Sequence, residues 1–503
     1  MLVYAAEITD SIKRYNMKIA FVSAEVYPFS KVGGLGDVAG ALPVELANLG
    51  ISVNVITPGY GSINRKRFPI QRIPYRFTVK IGGEMIECGV SRWVSAEQPK
   101  HCVYFVENEF YFGARGIYND ANGRAYDDNN KRFLLLGKAA LEIARMPGER
   151  PDIIHCNDNH TAMIPVYLKA DPALHHDFKN TKTLLTLHNI AYQGIDSMDH
   201  KDLYGVPDDF FRPMAALEWW GQINPLKAGI IFADGISTVS PTHAREIMNS
   251  EVFSAGMQNI IRSSGKTVYG ILNGVDYQEW HPATDRYIAK PYSIETVEEK
   301  KYNKIALLND MGLDQSVVNK PLIGMVSRLV EQKGISLLIE SIDRMMTLDI
   351  GMIVLGSGEP EYERAMRKFA RRYPRRFVVD FGYNNPLAHK IMAGCDMFLM
   401  PSRYEPCGIT QMAALKYGNV PIVHKTGGLA DTVIHWDGQS GNGFVFENYS
   451  SDDLIKPVRD AVTVFMNGKE WRRIRLNGMA TDFSWKRSAQ QYIELYEYTC
   501  QVL

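Results

Sequence analysis

The sequence lacks an excess of charge of either sign, and it lacks long hydrophobic runs. Its 503 residues contain 56 Lys and Arg against 56 Asp and Glu, so no basic field marks a nucleic acid or an anionic membrane as a partner. No apolar run approaches the ~20 residues that a membrane-spanning helix needs. There is also no short-period repeat and no low-complexity tract. Any anion that this chain binds must therefore be held by a local site.

Cysteine is sparse, and no two cysteines form a CxxC pair. The six cysteines are scattered along the chain, at Cys88, Cys102, Cys156, Cys395, Cys407 and Cys500. This pattern is typical of a reducing compartment and offers no zinc cluster. Residues 1–16 lack the basic start and apolar stretch of a signal peptide and are too acidic for a typical transit peptide, and Met17 is an alternative start. We therefore expect a cytoplasmic protein.

Short apolar runs that alternate with helical patterns predict parallel α/β structure. The first run covers residues 17–25, and a helical pattern and a second run at 51–57 follow it. Similar runs recur in the first half, at residues 153–156, 183–188 and 235–239. After a charged, irregular stretch up to about residue 320, the pattern restarts with PLIGMVSRLVEQKG. Further strands are then predicted at residues 351–356, 376–381, 397–401 and 420–424.

Two successive repeats of this kind predict two doubly wound, Rossmann-like domains, the first over residues 1–275 and the second over 276–484. Ligands of such sheets bind beyond the carboxyl ends of the strands. The polar residues that follow each apolar run are therefore the candidate site residues. The apolar pattern of the last stretch predicts an amphipathic helix over 485–503. We expect that helix to pack on a domain surface, with the N-terminal domain as one candidate.

A glycine-rich loop, KVGGLGD at residues 31–37, follows the first apolar run. Its three glycines let backbone amides approach a ligand closely, and the next helix points its positive end at the same place. Lys31 adds a full positive charge. These groups suit a diphosphate, although their spacing matches neither a dinucleotide fingerprint nor a P-loop. A plain tight turn explains the loop equally well, so both interpretations stay open.

Two cations follow the first strand of the second half. Arg328 closes the strand, and Lys333 comes five residues later. Arg can bind a diphosphate bidentately, whereas Lys acts as a point charge. A pair of ordinary surface cations is the alternative. Their position at the carboxyl end of a strand favours the role in anion binding.

Glu405 lies in the segment PSRYEPCGITQ, between an apolar strand and a helix that should begin near Gly408. Its carboxylate could accept hydrogen bonds from sugar hydroxyls, and the amides at the helix start could hold phosphate oxygens. A structural salt bridge is the alternative for Glu405. Cys407 has no nearby histidine in sequence, so we predict a packed thiol rather than a nucleophile.

Polar residues also follow two strands of the first half. His188, in LHNIAYQG, and Asp158, in NDNH, come directly after apolar runs and should lie at the crevice. A purely structural histidine is the alternative for His188. The pair Trp219 and Trp220 could stack on sugars, but adjacent aromatics on a helix more often belong to the core.

Six segments resemble the signatures of one family and occur in that family's order. They are KVGGLGDV, HNIAYQG, ILNGVD, SRLVEQKG, GYNNPLAHKIMAGCD and PSRYEPCGITQMAALKYG, and they resemble bacterial glycogen synthases and plant starch synthases. The resemblance implies the GT-B fold, with two Rossmann-like domains facing a central cleft. It also implies a metal-independent, retaining transfer of glucose, without a cofactor, to the non-reducing end of an α-1,4-glucan. The implied donor is ADP-glucose, with UDP-glucose as the alternative.

The resemblance also implies roles for individual residues. His188 would hydrogen-bond the transferred glucose, Glu405 would hold its hydroxyls, and Asp158 would lie near the sugar. Arg328 and Lys333 would neutralise the departing diphosphate. The residues implied in donor binding lie in the motifs, at Lys31, Gly33, Gly34, Asp37, Asn273, Tyr383, Cys407, Gly408, Ile409 and Thr410. Of these, Tyr383 would stack on the base. The motifs contain no obvious carboxylate nucleophile. The resemblance implies attack from the face of departure, a step that the sequence by itself does not decide.

The sequence departs from the family pattern at Asn159, where a Trp commonly follows the aspartate. A hydrogen bond could replace aromatic packing at that edge of the sugar or acceptor site. Sucrose, trehalose and lipid transferases of the same fold often carry a second glutamate eight residues after the first, and Ala413 stands there instead. No motif points to the pyridoxal lysine of a phosphorylase. An inactive glucan-binding protein is disfavoured because five key residues are all present, namely Lys31, His188, Arg328, Lys333 and Glu405.

Overall fold

The computed structural model describes residues 17–382 and 384–502, so the segment 1–16 and the base-stacking candidate Tyr383 lie outside the described residues. The chain divides into two compact units. The N-terminal unit comprises Met1–Val239, Ala244–Ile271 and Trp485–Leu503. The C-terminal unit comprises Ser240–His243 and Leu272–Ser484.

The N-terminal unit is built on a mainly parallel sheet with a short antiparallel ribbon beside it. Its strands, in chain order, are β1 Lys18–Val22, β2 Ser52–Pro58, β3 Gln71–Ile81, β4 Glu84–Val94, β5 His101–Glu107, β6 Ile153–Asn157, β7 Lys182–Leu187, β8 Asp196–Ser197, β9 Glu218–Trp219, β10 Gln222–Ile223, β11 Gly235–Thr238 and β12 Val268–Gly270. The large sheet has the order β12-β11-β7-β6-β1-β2-β5-β4-β3, and β8, β10 and β9 form the ribbon. Strands β3 and β4 pair antiparallel.

Apolar side chains explain why the parallel strands lie inside this unit. Ile19, Phe21 and Val22 of β1 are at most 1% exposed, as expected for strands with helices on both faces. The helices are α1 Gly34–Asn48, α2 Asn129–Ala144, α3 Met163–Ala170, α4 Pro172–Asp177, α5 Lys201–Tyr204, α6 Pro225–Phe232, α7 Pro241–Asn249, α8 Glu251–Ser254 and α9 Gln258–Ser263. A π-helical turn at Glu109–Gly113 and 3-10 turns at Asn159–Thr161, Met198–His200 and Asp208–Phe211 complete it.

The C-terminal unit contains a wholly parallel sheet among its described residues. Its strands are β13 Leu322–Val326, β14 Gly351–Leu355, β15 Phe377–Asp380, β16 Met397–Met400, β17 Val420–His424 and β18 Phe444–Phe446, in the order β15-β14-β13-β16-β17-β18. Its helices are α10 Lys300–Asp310, α11 Ile335–Met345, α12 Pro360–Arg372, α13 Asn385–Gly394, α14 Thr410–Lys416, α15 Gly427–Thr432, α16 Ser451–Met466 and α17 Gly468–Ala480, with 3-10 turns at Val297–Glu299, Gln315–Asn319 and Glu331–Lys333.

The last helix, α18 Trp485–Val502, belongs to the N-terminal unit. Tyr492 and Tyr496 are fully buried there, and the Tyr496 hydroxyl lies 2.7 Å from Nδ1 of His155 on β6. Apolar burial along one side of the helix fits its amphipathic sequence. None of the described helices combines the length and the apolarity that crossing a membrane requires.

The α/β prediction with two Rossmann-like sheets is confirmed, and two local predictions are wrong. The stretch before residue 320 contains the helix α10, so it is not irregular throughout. Trp219 ends the short strand β9 and Trp220 follows it with φ of +52°, so the two do not share a helix. The helix expected near Gly408 is confirmed: it begins at Thr410, directly after the turn in which Gly408 adopts φ of +71°.

Candidate active site

The strand orders locate the crevice of each unit. In the N-terminal sheet, β1 lies between β2 and β6, and in the C-terminal sheet, β13 lies between β14 and β16. Each is a topological switch point, where the loops after neighbouring strands diverge and leave a crevice. The loops after β1, β6, β7, β13 and β16 carry most of the predicted site residues, among them Lys31, Asp158, His188, Arg328 and Glu405. The same rule of topology therefore gathers them at one place in each unit.

In the N-terminal unit, a carboxylate that the sequence analysis missed organises the glycine-rich loop. Glu25 follows β1 and is 2% exposed. Its Oε2 accepts hydrogen bonds from the N–H groups of Val32 (2.5 Å) and Gly33 (2.8 Å). Its Oε1 accepts one from the hydroxyl of Tyr118 at 2.7 Å. Burial and this carboxylate raise the pKa of Tyr118 well above its ordinary value. Two backbone N–H groups of the loop thus bind Glu25 and fix the shape of the loop.

The loop also carries an exposed ion pair and two glycines in different surroundings. Lys31 Nζ lies 2.6 Å from Asp37 Oδ1, and both side chains are more than one-third exposed. A methyl group on Gly34 would meet no atom within 4 Å, so the helix start at Gly34 borders open space. On Gly36, it would come within 3.0 Å of Lys31 Cγ and 3.2 Å of the Glu25 carboxylate. Gly36 is therefore needed for close packing within the loop, whereas Gly34 leaves room for a ligand to approach the backbone.

Asp158 holds the loop after β7. Its Oδ1 accepts hydrogen bonds from the backbone N–H groups of His188 (2.7 Å) and Asn189 (3.2 Å). The residue adopts φ of +54°, a conformation that Asp tolerates better than most residues. Burial raises the pKa of Asp158 to about 7, even though the two N–H groups act in the opposite direction; nearby Glu25 adds to the rise. The carboxyl is thus held at the crevice with a proton affinity unusual for an aspartate.

His188 is a neutral imidazole whose tautomer is set by Asn157. The Asn157 amide donates through Nδ2 to the Val22 carbonyl at 2.9 Å, so its Oδ1 is the acceptor 2.8 Å from His188 Nε2. Burial lowers the pKa of His188 to about 3. The proton therefore lies on Nε2, and Nδ1 remains an acceptor for a hydroxyl group.

Asn159 forms a hydrogen bond at the position where the family's aromatic residue is common. Its Nδ2 donates to the Tyr192 carbonyl at 2.9 Å. Gly194 packs close beside it, since a methyl group there would lie 3.0 Å from Asn159 Oδ1. The side chain thus anchors the loop that carries Tyr192, whose ring is 59% exposed.

In the C-terminal unit, the predicted cation and the predicted carboxylate form an ion pair. Lys333 Nζ lies 2.5 Å from Glu405 Oε2, and their side chains are only 18% and 8% exposed. Ser402, which the sequence analysis did not single out, donates its hydroxyl to the same oxygen at 3.2 Å. The salt bridge that was the alternative for Glu405 therefore exists, and its partner is itself a predicted site residue.

Arg328 is exposed at the carboxyl end of β13. One guanidinium N–H reaches Gln332 Oε1 at 3.5 Å, the limit of a hydrogen bond. A guanidinium offers five N–H donors in a planar fork. The group therefore keeps most of its donor capacity for an anion.

Two glycines at the start of α15, which follows β17, pack closely against the Glu405 segment. On Gly427, whose φ is +42°, a methyl group would lie 2.0 Å from the Glu405 carbonyl oxygen. On Gly428, it would lie 1.9 Å from the Cys407 carbonyl oxygen, and the Gly428 N–H donates to the Glu405 carbonyl at 3.1 Å. Nothing larger than hydrogen fits at either position. Neither residue was predicted from the sequence, because the contact joins two segments that lie far apart in the chain.

Cys407 is a packed thiol, as predicted. It is 5% exposed, and burial raises the pKa of its thiol to about 12, although a hydrogen bond from the backbone N–H of Asn273 acts against this rise. Asn273 is buried, and no donor among residues 17–382 and 384–502 reaches its Oδ1. The side chain of Gln411 closes the following turn through hydrogen bonds to the carbonyls of Cys407 (3.1 Å) and Gly408 (2.8 Å). Ile409 and Thr410 lie at the start of α14.

The described part of the chain contains no group of three His, Cys, Asp or Glu side chains that could hold a metal ion. The charged groups that the two crevices do contain are cations and hydrogen-bonded carboxylates. Glu25 could have been found from sequence, since it follows an apolar strand just as Asp158 and His188 do. Gly427, Gly428 and Ser402 act through contacts that the sequence does not reveal.

Comparisons with known proteins find relatives over nearly the whole chain. A family model described as the starch synthase catalytic domain matches residues 18–263, and one for glycosyl transferases group 1 matches residues 314–465. The glycogen synthase of Anaeromyxobacter sp. (strain Fw109-5) is 43% identical over 95% of this chain and 99% of that protein. The glycogen synthase of Thermotoga maritima is 41% identical over 96% of this chain and 98% of that protein.

Two solved structures also resemble this chain. The catalytic domain of starch synthase IV from Arabidopsis thaliana, bound to ADP and acarbose, has a TM-score of 0.86 and 31% identity, covering 96% of this chain and 99% of that chain. A sucrose-phosphate synthase from Thermosynechococcus elongatus has a TM-score of 0.58 at 15% identity, with coverage of 96% and 98%. The second likeness concerns the fold alone.

Proposed function

The chain belongs to the glycogen synthase family, and from this premise we propose that it transfers glucose from ADP-glucose to the non-reducing end of an α-1,4-glucan with retention of configuration. The observation that carries the proposal is the Lys333–Glu405 pair beside the exposed Arg328, at the switch point of the C-terminal sheet. The ADP bound by the starch synthase IV relative supports ADP-glucose as the donor. UDP-glucose is the competing donor.

The chemistry of the transfer requires positive charge at the leaving group. The bond between glucose C1 and the β-phosphate oxygen breaks, and a bond forms between C1 and the 4-hydroxyl oxygen of the acceptor. The proton of that hydroxyl passes to the departing phosphate oxygen, which leaves with ADP. Arg328 and Lys333 stabilise the charge that develops on the diphosphate, because fixed cations in a preorganised site lower the barrier most where charge appears. We propose that these cations make a metal ion unnecessary.

The carboxylates at the two crevices are engaged in other contacts, which supports attack from the face of departure rather than a covalent intermediate. Glu25 accepts three hydrogen bonds, Asp158 holds the backbone after β7, and Glu405 pairs with Lys333. We propose that Glu405 accepts hydrogen bonds from the glucose hydroxyls. A carboxylate that is already fixed by Lys333 and Ser402 loses little freedom when the sugar binds.

The N-terminal groups are proposed to orient the sugar and the diphosphate. His188 Nε2–H donates to Asn157, so the ring's other nitrogen, Nδ1, accepts a hydrogen bond from a hydroxyl group of the transferred glucose. Lys31 and the helix start at Gly34 contact the diphosphate, with Asp37 fixing the ammonium. Asp158 lies near the sugar. In the C-terminal unit, the Asn273 amide orients the glucose, and amides of residues 407–410 hold phosphate oxygens.

We propose that the functional division falls at residues 275 and 276, with the acceptor side on the N-terminal domain and the nucleotide side on the C-terminal one. Glucan chains present hydroxyl groups along their whole length. The N-terminal unit contains a cavity of about 600 Å³ whose lining includes Asp127, Asn130, Asp199 and Gln222. Such side chains hydrogen-bond hydroxyls, which supports the assignment. The free cysteines, buried except for Cys500, suit the cytoplasm that we propose as its location.

Analysis of the reaction product tests this function. The protein is incubated with ADP-glucose and maltotriose, with and without EDTA, and the product is examined by NMR and by measurement of released ADP. We expect a glucose in α-1,4 linkage at the non-reducing end, one ADP for each glucose, and the same rate with EDTA. A β-linkage, or hydrolysis without transfer, contradicts the proposed reaction, and loss of activity with EDTA contradicts metal independence.

A further inference from the structure

His424, at the end of β17, occupies an unusual position between two carbonyl groups of the C-terminal unit. Its Nδ1 lies 2.9 Å from the carbonyl oxygen of Ser402, and its Nε2 lies 3.2 Å from the carbonyl oxygen of Glu447. The residue is 7% exposed. A carbonyl oxygen only accepts hydrogen bonds, and a neutral imidazole carries only one N–H. Both contacts are therefore hydrogen bonds only when the ring is an imidazolium.

The first of these carbonyls belongs to the residue that holds Glu405. The Ser402 hydroxyl donates to Glu405 Oε2 at 3.2 Å, and Ser402 is itself 1% exposed. The ring of His424 is further fixed by its neighbours Phe446 and Tyr449, whose ring centroids lie 5.2 Å and 5.3 Å away. The His424 ring thus lies between the loop after β16 and the loop after β18, in contact with a carbonyl oxygen of each.

We propose that His424 is a positioning residue for the glucose-contacting carboxylate, and that it acts as an imidazolium that donates to Ser402 and Glu447 together. Loss of one ring proton removes one of the two hydrogen bonds and leaves a carbonyl oxygen against a ring nitrogen lone pair, which repels it. Ser402 is then less firmly held, and Glu405 loses part of its orientation. The role in transfer rests on the proposed function, whereas the double donation rests on geometry alone.

Other charged groups surround this ring. Any test must distinguish their effects on activity from the effect of the ring. On the loop after β16, these are Glu405 and Arg403, whose guanidinium lies 5.7 Å from the Tyr449 ring centroid. Glu405 is paired with Lys333. On the other side, the Glu447 carboxylate is paired with Lys425 at 2.6 Å. Both nearby carboxylates thus have a cation of their own.

A pH series on three proteins tests the proposal. His424→Arg keeps two N–H donors at every pH, whereas His424→Gln offers donors at one end only, as a neutral imidazole does. The exposed His435 on the same unit supplies the control variant His435→Gln. The maximal rate of transfer is measured for each variant and for the unchanged protein between about pH 5 and pH 8, where histidine side chains usually change charge. Titration of Asp158 is common to all of them and cancels in the ratio.

We divide the kcat of the unchanged protein by the kcat of His424→Arg at each pH. We expect this ratio to fall by roughly two- to tenfold as the pH rises, because one hydrogen bond contributes about that much. The ratio to His435→Gln stays constant, and His424→Gln is slower at low pH and loses the pH dependence due to this ring. A ratio to His424→Arg that does not change with pH overturns the proposal.

A second measurement does not depend on activity. In protein labelled with nitrogen-15 at histidine, the ring signals of His424 are identified by their absence from His424→Gln. Two protonated ring nitrogens at about pH 5 are expected, and a singly protonated ring at that pH overturns the proposal whatever the transfer activity of the variants. An imidazolium signature in a protein without transfer activity contradicts the proposed function and leaves the double donation standing.

Discussion

The Lys333 ammonium and the Glu405 carboxylate lie 2.5 Å apart, with 18% and 8% of their side chains exposed. Removing one partner of such a pair leaves a charge in a poorly solvated place. We predict that Glu405→Ala and Lys333→Ala each lower the rate of transfer by more than about tenfold. Initial rates at saturating donor and glycogen measure this. The double variant should lose less than the product of the two single losses, since the groups act together.

A second ion pair of the same unit provides the control. Lys304 Nζ lies 2.6 Å from Asp396 Oδ2, with side chains 5% and 15% exposed, at the amino ends of β13 and β16. Lys304→Ala should lower the melting temperature of the C-terminal unit, as loss of a buried pair does, without lowering kcat. Equal losses of kcat in Lys304→Ala and Lys333→Ala would mean that Lys333 acts only through stability.

For the glycine-rich loop, we predict that Lys31→Ala reduces transfer by more than about tenfold, because it removes a charge at the diphosphate. The protein should stay folded, since the side chain is 38% exposed and Glu25 holds the loop through backbone groups. Lys169→Ala, at an exposed position on α3, is the matched control. Rates of Lys31→Ala equal to those of Lys169→Ala would remove Lys31 from the donor site.

The contact between Gly428 and the Glu405 segment gives a steric prediction. Gly428→Ala must move the Cys407 carbonyl or the start of α15, because the new methyl group would lie 1.9 Å from that oxygen. We expect kcat to fall by about tenfold or more, as misplacement of binding groups commonly causes. Gly468→Ala, at a helix start with no atom within 4 Å, should change neither the rate nor the stability much. Similar kinetics for Gly428→Ala and Gly468→Ala would contradict a role of Gly428 in placing the Glu405 segment.

Asp158 gives a prediction about stability and pH. Burial raises its pKa from 3.8 to about 7, so between these values the folded protein binds more protons than the unfolded chain. Stability therefore falls as the pH rises through this window. Asp158→Asn keeps an acceptor for the His188 N–H and removes the charge. Scanning calorimetry should show a higher melting temperature for the variant at about pH 8 and little difference at about pH 4. A difference that is constant with pH contradicts the raised pKa.

The sequence predicts the strands and the crevices well because both depend on local patterns. Apolar runs mark strands, and the polar residues after them mark the switch points, as Asp158 and Arg328 show. Which side chains pair with each other depends on tertiary contacts. Lys333 and Glu405, which lie 72 residues apart in the chain, were therefore not predicted as a pair. The antiparallel hairpin of β3 and β4 was not predicted either, since its strands are partly exposed and carry no long apolar run. Gly427 and Gly428 are needed because another loop packs against them.

The comparison of two donors on one acceptor tests the central claim most directly. Initial rates of glucose incorporation into glycogen are measured with ADP-glucose and with UDP-glucose at equal concentrations. We predict transfer from ADP-glucose at a rate at least about tenfold higher, the discrimination that about 1.4 kcal/mol of differential transition-state binding gives. Incorporation from UDP-glucose alone, or from neither donor, would contradict the account.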